Sequence, residues 1–311
     1  MSERLNQQKS FDVLGDVLET LHFRGSIFFR SDLAAPWGMS LEKSPFPKFH
    51  IALSGECYVG ADANDAVRVQ EQDVIMLPNG SSHWISDQPG RDLVPSSIAG
   101  DACELNTPLF QEGKITNRLI CGVIQFDQEM SHPIFDALPS VMLFTGLSSS
   151  GPIWSMINLI DTEMNSANNW NAGVVDRLAE VLFIQLMNHY VSRVDDSTGF
   201  LAALSDRRVY RALSLIHKEP GLDWTLSLLG ERSGMSKATL VRRFQEVLGV
   251  APMRYISDWR VMKAYNLVKY TVAPLEQIAD SLGFSSSRTL TRAFHRHYEC
   301  TPSVLRKSIA K

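Results

Sequence analysis

The side chains best able to bind another molecule through charge are concentrated in the last third of the chain. From Asp206 onward there are 18 Lys and Arg against 9 Asp and Glu, a net charge of +9. Before Asp206 there are 12 against 25, a net charge of −13, so the overall value of −4 conceals two opposite parts. A concentrated basic region is the electrostatic signature of phosphate binding, from which the acidic part is repelled. The last third is therefore predicted to bind nucleic acid.

Four cysteines are the other reactive side chains, and they are scattered at Cys57, Cys103, Cys121 and Cys300. They lack CxxC spacing, which argues against a zinc finger and against a disulfide framework. Cys103 falls in a stretch rich in Pro, Gly and Ser and is expected to be exposed, whereas Cys121 follows an apolar strand and is expected to be buried. Two interpretations stay open. The thiols are inert, or Cys103 responds with Cys57 or Cys121 to oxidants or electrophiles, although no basic cluster neighbours them in the sequence to favour a thiolate.

The bulk properties indicate an ordinary soluble protein of two domains. The chain has 311 residues with 44% hydrophobic and 21% charged residues, and each of two domains could bury its own core. No apolar run approaches the roughly 20 residues that span a bilayer, and the polar start, residues 1–10, lacks the apolar region of a signal peptide. These features predict a cytoplasmic protein without a membrane partner.

The elements that must position these side chains change character along the chain. Residues 11–21 have helical apolar spacing, and 25–126 consists of short apolar and β-branched runs separated by turn residues, which predicts a β-sandwich or small barrel. Residues 88–113 are expected to form a surface loop. Helices are expected at about 153–164 and 174–194, and the second, apolar on more than one face, is a candidate dimerisation helix. The predicted linker is 195–205, and its best candidate is the short polar stretch 195–199.

The basic third contains two copies of a helix-turn-helix pattern. In the first copy, Gly234 makes the turn, Ser236 can cap the second helix, and Leu240 and Phe244 reach the core at helical spacing. The second copy follows fifty residues later, with Ser286, Leu290 and Phe294 at the same offsets. A long helix begins at Pro252 between the copies, and its Arg260 is expected to reach a DNA phosphate. Repetition of the pattern favours two DNA-binding units, each with one helix free to enter a major groove.

The region 224–306 resembles the DNA-binding domain of the arabinose-regulator (AraC/XylS) family of transcription regulators. The resemblance rests on the segments GMSKATLVRRF, GVAPMRYISDWR, IADSLGF and TLTRAF followed by TPSVLR, in that order. It implies an all-α domain of two helix-turn-helix units joined by one long helix. It also implies these groove-facing residues: Ala238, Val241 and Arg242 in the first unit, and Ser287, Arg288, Thr289 and Arg292 in the second. Arginine can bind guanine bidentately, while Ala and Val suit a thymine methyl; a solvated face or a phosphate contact is the alternative role for the arginines.

Two positions depart from the pattern of that family. Glu299 stands where relatives usually have Gly, and Leu305 stands where they usually have an aromatic residue. Glu299 is expected to require a different chain path after the last recognition helix. Neither departure touches a residue expected to contact a base.

The amino-terminal part resembles the cupin-type sensory domain that one branch of the same family carries. The resemblance rests on FRGSIFFRSDLAAPWG, FHIALSGECYVG, QEQDVIMLPNGSSHWI, RLICGVIQFD and HPIFDALPSVMLF. Cupins are small β-barrels whose interior holds a metal or a small ligand. The first cupin metal motif survives as His50 and Glu56, with Ala52 in place of a second His, and the second motif supplies His83. These three side chains could hold a divalent transition metal, or the histidines could simply be packed in the barrel.

Even spacing places His50, Ala52 and Glu56 on one strand face, so Cys57 is expected to point away from the interior. Trp37, Trp84 and Phe49 are candidates for lining a ligand pocket, with barrel core as the alternative.

The sequence therefore predicts an α+β protein of two domains. Residues 1–194 form a cupin-like sensory and dimerisation domain with its barrel at about 25–126 and helices at about 153–194, residues 195–205 a linker, and residues 206–311 the double helix-turn-helix domain. We expect a homodimeric DNA-binding transcription regulator, not an enzyme. The resemblance favours an activator, which would contact RNA polymerase, controlled by an unknown small-molecule or redox effector. The alternatives are a cupin dioxygenase or isomerase with a helical interaction domain, and an architectural DNA binder without an effector.

Overall fold

The computed structural model describes residues 11–61, 65–104, 109–130, 138–165, 171–193 and 199–309. The chain divides into two compact units. The barrel unit comprises residues 23–126 and 138–190, and the helical unit comprises residues 1–22, 127–137 and 191–311. The division does not follow a single cut in the sequence, since the first helix belongs to the helical unit.

The barrel unit is built from two five-stranded sheets. One sheet has the strand order β1-β9-β3-β6-β10 and the other β5-β4-β7-β2-β8. The strands are β1 (Arg24–Ala34), β2 (Gly38–Leu41), β3 (Lys48–Ser54), β4 (Cys57–Gly60), β5 (Val67–Val69), β6 (Val74–Leu77), β7 (His83–Ser86), β8 (Val94–Pro95), β9 (Ile115–Gln125) and β10 (Met142–Phe144). Pairing is antiparallel except between β2 and β8, which are parallel.

The core of the barrel unit lies between the two sheets and takes side chains from both. Leu33 and Leu119 come from one sheet, and Met39 and Ile85 from the other, all nearly inaccessible to solvent. One close approach requires glycine: a Cβ on Gly122 would lie 2.2 Å from the ring of Phe49 on the neighbouring strand. Phe49 is therefore buried on the face of β3 opposite to His50, packed where its partner strand has no side chain, and lies outside the core cluster between the sheets.

The described part of the barrel unit also contains three helices: α2 (Ser96–Glu104), α3 (Pro152–Met164) and α4 (Ala172–Val191). The last two agree with the helical periodicity in the sequence. The first, together with β8, occupies part of the stretch 88–113, for which a surface loop was expected. That expectation was wrong because the Pro, Gly and Ser of this stretch flank the short helix and lie in its first turns instead of excluding it.

Among its described residues, the helical unit has one helix from the start of the chain and eight from its last third. They are α1 (Val13–Thr20), α5 (Phe200–Ser205), α6 (Arg207–Lys218), α7 (Leu226–Ser233), α8 (Lys237–Leu248), α9 (Pro252–Tyr270), α10 (Leu275–Ser281), α11 (Ser287–Tyr298) and α12 (Pro302–Ile309). Asp206 caps α6 by accepting from the amides of Arg208 and Val209. The fixed φ of Pro252 suits the first turn of α9.

The described end of the predicted linker is folded. Residues 200–205 form α5, and Phe200 and Leu201 are buried, while the amide of Gly199 donates to the carbonyl of Val247. The apolar run FLAAL therefore packs as a short helix instead of continuing the polar linker over 195–205. Among the described helices, none is both long and apolar enough to cross a bilayer.

Candidate nucleic-acid interface and barrel cavity

The first helix-turn-helix is formed by α7 and α8. Gly234 ends α7 in the left-handed conformation, at φ 76°, and the hydroxyl of Ser236 accepts from the Thr239 amide to cap α8. Leu240 and Phe244 are fully buried, which fixes one side of α8 and leaves the opposite side at the surface. The turn and the cap thus follow directly from the sequence pattern.

The second helix-turn-helix, α10 and α11, repeats the same construction. Ser286 accepts from the Thr289 amide at 3.2 Å, the same distance as between Ser236 and Thr239. Leu290 and Phe294 are fully buried, as are their counterparts fifty residues earlier. The two recognition helices, α8 and α11, therefore present equivalent faces within the helical unit.

The outer face of α8 is a shallow depression of mixed charge. It is lined by Lys237, Ala238, Val241, Arg242, Gln245 and Glu246. All three residues that the sequence assigned to base contact in this unit lie on it. The Arg242 guanidinium is 62% exposed and donates to Glu246 at 2.8 Å, one helical turn away. This ion pair is weak at the surface and can be exchanged for a DNA contact.

The outer face of α11 is more basic. It is lined by Ser287, Arg288, Thr291, Arg292, His295 and Thr301. Arg288 and Arg292 form no ion pair within the part of the chain that the structure describes. The sequence prediction omitted Thr291 and His295, which follow Ser287 at steps of four along this face and could have been found from that spacing.

Thr289, another predicted contact, lies half-buried at the start of α11. Its hydroxyl is 3.0 Å from the Ser285 hydroxyl and 3.1 Å from that of Ser286. In this arrangement the side chain belongs to the cap of α11, and it is absent from the lining of the depression.

Arg260 has a different environment from the phosphate contact that was expected. Its guanidinium donates to the carbonyls of Pro220 at 2.7 Å, Leu222 at 2.6 Å and Gly283 at 3.3 Å. Gly283 is the turn of the second helix-turn-helix, and the other two carbonyls precede the first. Arg260 therefore ties the two helix-turn-helix units together from α9, because one guanidinium can donate to several carbonyls at once.

The chain path after α11 is the same as after α8. Gly249 has φ 70° and Glu299, fifty residues later, has φ 56°, so both helices end in a left-handed residue. The expectation of a different path at Glu299 was wrong. The Glu299 amide donates to the His295 carbonyl as the Gly249 amide donates to that of Gln245, and a proline begins the next helix three residues later in both units. Leu305 is buried in α12.

In the barrel unit, two buried histidines and a cysteine form a chain of hydrogen bonds. The distance from His50 Nδ1 to Cys121 Sγ is 2.9 Å, from His50 Nε2 to His83 Nε2 is 2.7 Å, and from His83 Nδ1 to the Ser81 carbonyl is 2.9 Å. Because a carbonyl only accepts, His83 Nδ1 carries a proton, and burial, which lowers the pKa of His83 to about 4, keeps its Nε2 unprotonated.

These constraints fix the remaining protons. His50 Nε2–H donates to His83, so His50 Nδ1 is an acceptor and the Cys121 thiol donates to it. Burial, with added repulsion from His83 and Lys48, places the pKa of His50 well below its ordinary value, and burial raises the pKa of the Cys121 thiol. All three groups are therefore neutral at rest.

The metal site expected at His50, Glu56 and His83 does not assemble. The Glu56 side chain is 45% exposed and accepts from Arg68 at 2.5 Å and from Tyr58 at 3.1 Å. Two nitrogens each about 2.1 Å from one ion in tetrahedral geometry lie about 3.4 Å apart, farther than the 2.7 Å between the two Nε2 atoms. In the described ranges, no three His, Cys, Asp or Glu side chains are arranged to hold a metal ion.

The even-spacing argument failed at a turn. Strand β3 ends at Ser54, and Gly55 turns with φ 76° before β4 begins at Cys57, so the alternation of β3 does not continue to Glu56. In consequence Glu56 faces solvent, and Cys57, expected to point away from the interior, is fully buried in the core.

The cavity of the barrel unit measures about 330 Å³. It is lined by Phe29, Met39, Leu41, His50, Ile85, Ser96, Ser97, Gly100 and Cys121. None of the aromatic candidates from the sequence, Trp37, Trp84 and Phe49, lines this cavity. Trp37 is buried in the core between the sheets, where its indole donates to Asn117 at 3.0 Å, and Trp84 and Phe49 are buried outside that cluster. The side chain of Cys103 lies outside the described residues.

Comparison with known proteins agrees with both halves of this architecture. A cupin family model matches residues 12–192, and a helix-turn-helix domain model matches residues 229–308. The chain is an AraC-type transcriptional regulator with an amino-terminal cupin domain. It is 26% identical over 308 residues to the HTH-type transcriptional regulator AlkR of Acinetobacter baylyi, covering 95% of this chain and 99% of AlkR.

Other regulators are similar over most of their length. A putative AraC-like transcription regulator of Streptomyces antibioticus is 26% identical over 95% of this chain and 98% of its own. The RCS-specific HTH-type transcriptional activator RclR of Escherichia coli is 20% identical over 84% of both chains. Among solved structures, an AraC-type regulator of Chromobacterium violaceum matches 35% of this regulator and 97% of that chain, with 27% identity and a TM-score of 0.33. ToxT of Vibrio cholerae matches 92% of this regulator and 98% of its own chain, with 11% identity and a TM-score of 0.37.

Proposed function

We propose that this DNA-binding regulator reads its operator through the outer faces of α8 and α11. The observation that carries the proposal is the equivalence of the two faces, which have Arg242 and Arg292 at matching positions fifty residues apart. Arg288 adds a second exposed arginine to the α11 face. Arginine side chains on a helix that enters the major groove bind guanine at two atoms and so discriminate sequence.

Arg292→Ala tests the role of α11 against a matched control on the same helix. Loss of a bidentate base contact should weaken operator binding by about 1–3 kcal/mol and relax the preference at one base pair. Arg296→Ala removes the same charge from α11 at a position outside the lining of the basic face. Titrations of the operator and of a scrambled duplex measure both effects. An equal loss for the two variants, or an equal loss on both duplexes, would leave Arg292 only a phosphate role and contradict the proposal.

Arg242→Ala makes the corresponding test for α8, with Arg243→Ala as its control. Arg243 pairs with Asp206 and Glu246 instead of lining the outer face. Selective loss of operator binding in Arg242→Ala supports reading by both units. Selective loss in Arg292→Ala alone assigns the base contacts to α11.

We propose that the regulator works as a homodimer through α4. Val174 and Val181, seven residues apart on this helix, are 39% and 40% exposed, and Leu178 lies half-buried between them. Apolar side chains at this spacing form one stripe, which association would cover. Sedimentation of Val181→Glu at the concentration where the parent is dimeric tests this, because a charge in the stripe should produce monomers. A parent that is monomeric at all accessible concentrations contradicts it.

We also propose that the regulator is a cytoplasmic activator that contacts RNA polymerase and responds to an effector bound in the barrel cavity. The printed name of RclR, an activator, supports the direction of control. The cavity supports the effector, because a concave apolar site with a few polar groups is the usual form of a ligand site. The alternative of a cupin metalloenzyme is weakened by the exposed position of Glu56.

Chain connectivity offers a route for the signal. Strands β1 and β9 pair over most of their length, from Arg24 opposite Gln125 to Ala34 opposite Ile115. Just beyond their paired ends lie α1 and Asp127, which contact α9 within the helical unit: Asp16 binds Lys263, and Asp127 binds Lys269 at 2.8 Å. An effector that shifts these strands would change the contacts that Asp16 and Asp127 make with α9, the helix that joins the two helix-turn-helix units.

A further inference from the structure

The barrel cavity exposes a thiol that has its own base. Cys121 and His50 both line the cavity, and the thiol donates to His50 Nδ1 at 2.9 Å. His83 holds His50 in the tautomer that leaves this nitrogen free to accept, because His83 Nε2 accepts the hydrogen bond from His50 Nε2–H, with the two nitrogens 2.7 Å apart. A nucleophile, a base and a group that orients the base are the three parts of an activated thiol.

We propose that the cavity takes a small α,β-unsaturated carbonyl compound, which adds covalently to Cys121 with His50 as general base and His83 as its positioning residue. The proposal rests on the proposed function, since it names the chemical class of the effector that the barrel receives. It gives the hydrogen-bonded pair His50 and His83 a role other than metal binding.

The addition is balanced without an oxidant or a metal. His50 Nδ1 takes the thiol proton as the sulfur forms a bond to the β-carbon of the ligand, and the π electron pair of the C=C bond moves through the α-carbon to the carbonyl oxygen. The resulting imidazolium keeps its Nε2–H bond to His83, which stabilises the charge. His50 then returns the proton to the α-carbon, leaving a neutral thioether and restoring the neutral imidazole.

The walls of the cavity suit such a ligand. Phe29, Met39, Leu41 and Ile85 give an apolar surface, while Ser96 and Ser97 supply hydroxyl groups able to donate to a carbonyl oxygen. The volume of about 330 Å³ is at the small end of the roughly 300–1,000 Å³ typical of ligand pockets, which favours a small ligand.

The resting thiol is protected from random oxidation. Burial raises the pKa of Cys121, so thiolate, the form that oxidants attack, is scarce until His50 accepts the proton. Selectivity then comes from the need for a ligand that fits the cavity and receives the sulfur while the proton moves. Cys57 is a natural comparison, because it is buried in the same core, with its pKa raised to about 12, but does not line the cavity.

Modification by methyl vinyl ketone, followed by mass spectrometry of peptides, tests the proposal in the full chain. Cys103→Ser and Cys300→Ser together form the background, so that Cys57 and Cys121 are the two thiols that remain. We expect an adduct on Cys121 and little on Cys57. General-base assistance typically contributes about 10²–10⁴-fold, so His50→Gln should slow the Cys121 reaction at least about tenfold. An unmodified Cys121, or an undiminished rate in a folded His50→Gln protein, would overturn the proposal.

Gly100→Leu supplies a second variant that leaves the Cys-His-His chain intact. A Cβ at Gly100 meets nothing within 4 Å, and the residue lines the cavity from within α2, so the larger side chain should fill space without a clash. We expect slower Cys121 modification with a thermal stability no lower than that of the background protein. An adduct rate equal to that of the background protein would contradict entry through this cavity. Operator binding measured on the same samples keeps a failure here distinct from a failure of the DNA-reading proposal.

Discussion

Asp16 Oδ2 lies 2.8 Å from His217 Nδ1, two hundred residues away in the sequence, and the His217 side chain is completely inaccessible to solvent. The other imidazole nitrogen, Nε2, is 2.8 Å from the hydroxyl of Tyr255. A neutral imidazole that donates to Asp16 and accepts from Tyr255 satisfies all three groups. Asp16 also accepts from Lys263 at 2.5 Å, so one carboxylate holds α1 against both α6 and α9.

Asp16→Ala should destabilise the helical unit. It leaves the buried Nδ1–H of His217 without an acceptor and removes the partner of the partly exposed Lys263, which together should cost about 2–3 kcal/mol. Thermal unfolding should show a lower Tm for Asp16→Ala than for the parent protein. The Tm of Asp16→Asn should lie between these two values, because its amide oxygen can still accept one hydrogen bond. Glu19→Gln, an exposed change on the same helix, is the control and should leave the Tm unchanged. Equal Tm values for Asp16→Ala and this control would show that the carboxylate does not stabilise the fold.

The same pair makes stability depend on pH. Burial holds the pKa of His217 below 6.5, so its contribution is present above pH 6.5 and declines as the pH falls through the folded pKa, because the unfolded state binds a proton first. For Asp16, burial opposes ionisation, but the bonds from His217 and Lys263 outweigh it and lower the pKa, so its contribution declines only below the ordinary value of 3.8. The Tm should therefore fall between pH 7.5 and 5.

His217→Gln identifies the source of that fall. The variant should have a lower Tm at pH 7.5 but a smaller change in Tm down to pH 5, because its amide does not titrate. His50 and His83 have lowered pKa values with the same sign, so His50→Gln is needed as a second comparison. An unaltered pH dependence in His217→Gln would assign the effect to the barrel histidines.

The recognition helices could be predicted from sequence because their determinants are local. A turn glycine, a capping serine and two apolar residues four apart specify each unit, and Ser236 and Ser286 perform as their spacing indicates. The sheets were predicted as a class for the same reason, from short apolar and β-branched runs separated by turn residues.

The site details that failed depend on turns and on distant partners. The predicted orientation of Glu56 was wrong because the chain turns at Gly55, where the alternation of the strand ends. The role of Arg260 depends on the Pro220 and Gly283 carbonyls, which are far apart in the sequence. The contacts of His50 with Cys121 and of Asp16 with His217 likewise join residues that are far apart in the sequence. No local pattern encodes these contacts, because they follow from packing of separate elements.

Glu299→Gly should stabilise the helical unit. Glu299 has φ 56°, and a left-handed conformation costs a residue with a Cβ roughly 1 kcal/mol, whereas Gly adopts it freely. Part of the gain is lost to the greater freedom of Gly in the unfolded chain, so the expected increase is up to about 1 kcal/mol. Gly249→Ala is the matched reverse change, at the equivalent φ of 70°, and should lower the Tm. A decrease in Tm for Glu299→Gly would mean that the Glu side chain contributes a compensating interaction.

Arg260→Ala should separate orientation of the two units from contact with DNA. Its three hydrogen bonds to carbonyls link the segment before the first helix-turn-helix to the turn of the second. Their loss should therefore make the orientation of the two helix-turn-helix units relative to each other more variable. Operator affinity should then fall while the base preference within each half of the operator is kept, since α8 and α11 retain their side chains. The slope of log affinity against log salt should stay close to that of the parent, because no phosphate contact is lost; a phosphate-binding arginine would reduce it by about one. Measuring the operator affinity and the salt slope for Arg260→Ala and Arg260→Lys decides between a linking role and a phosphate contact. A reduced slope in Arg260→Ala that Arg260→Lys restores would show that Arg260 binds the DNA backbone.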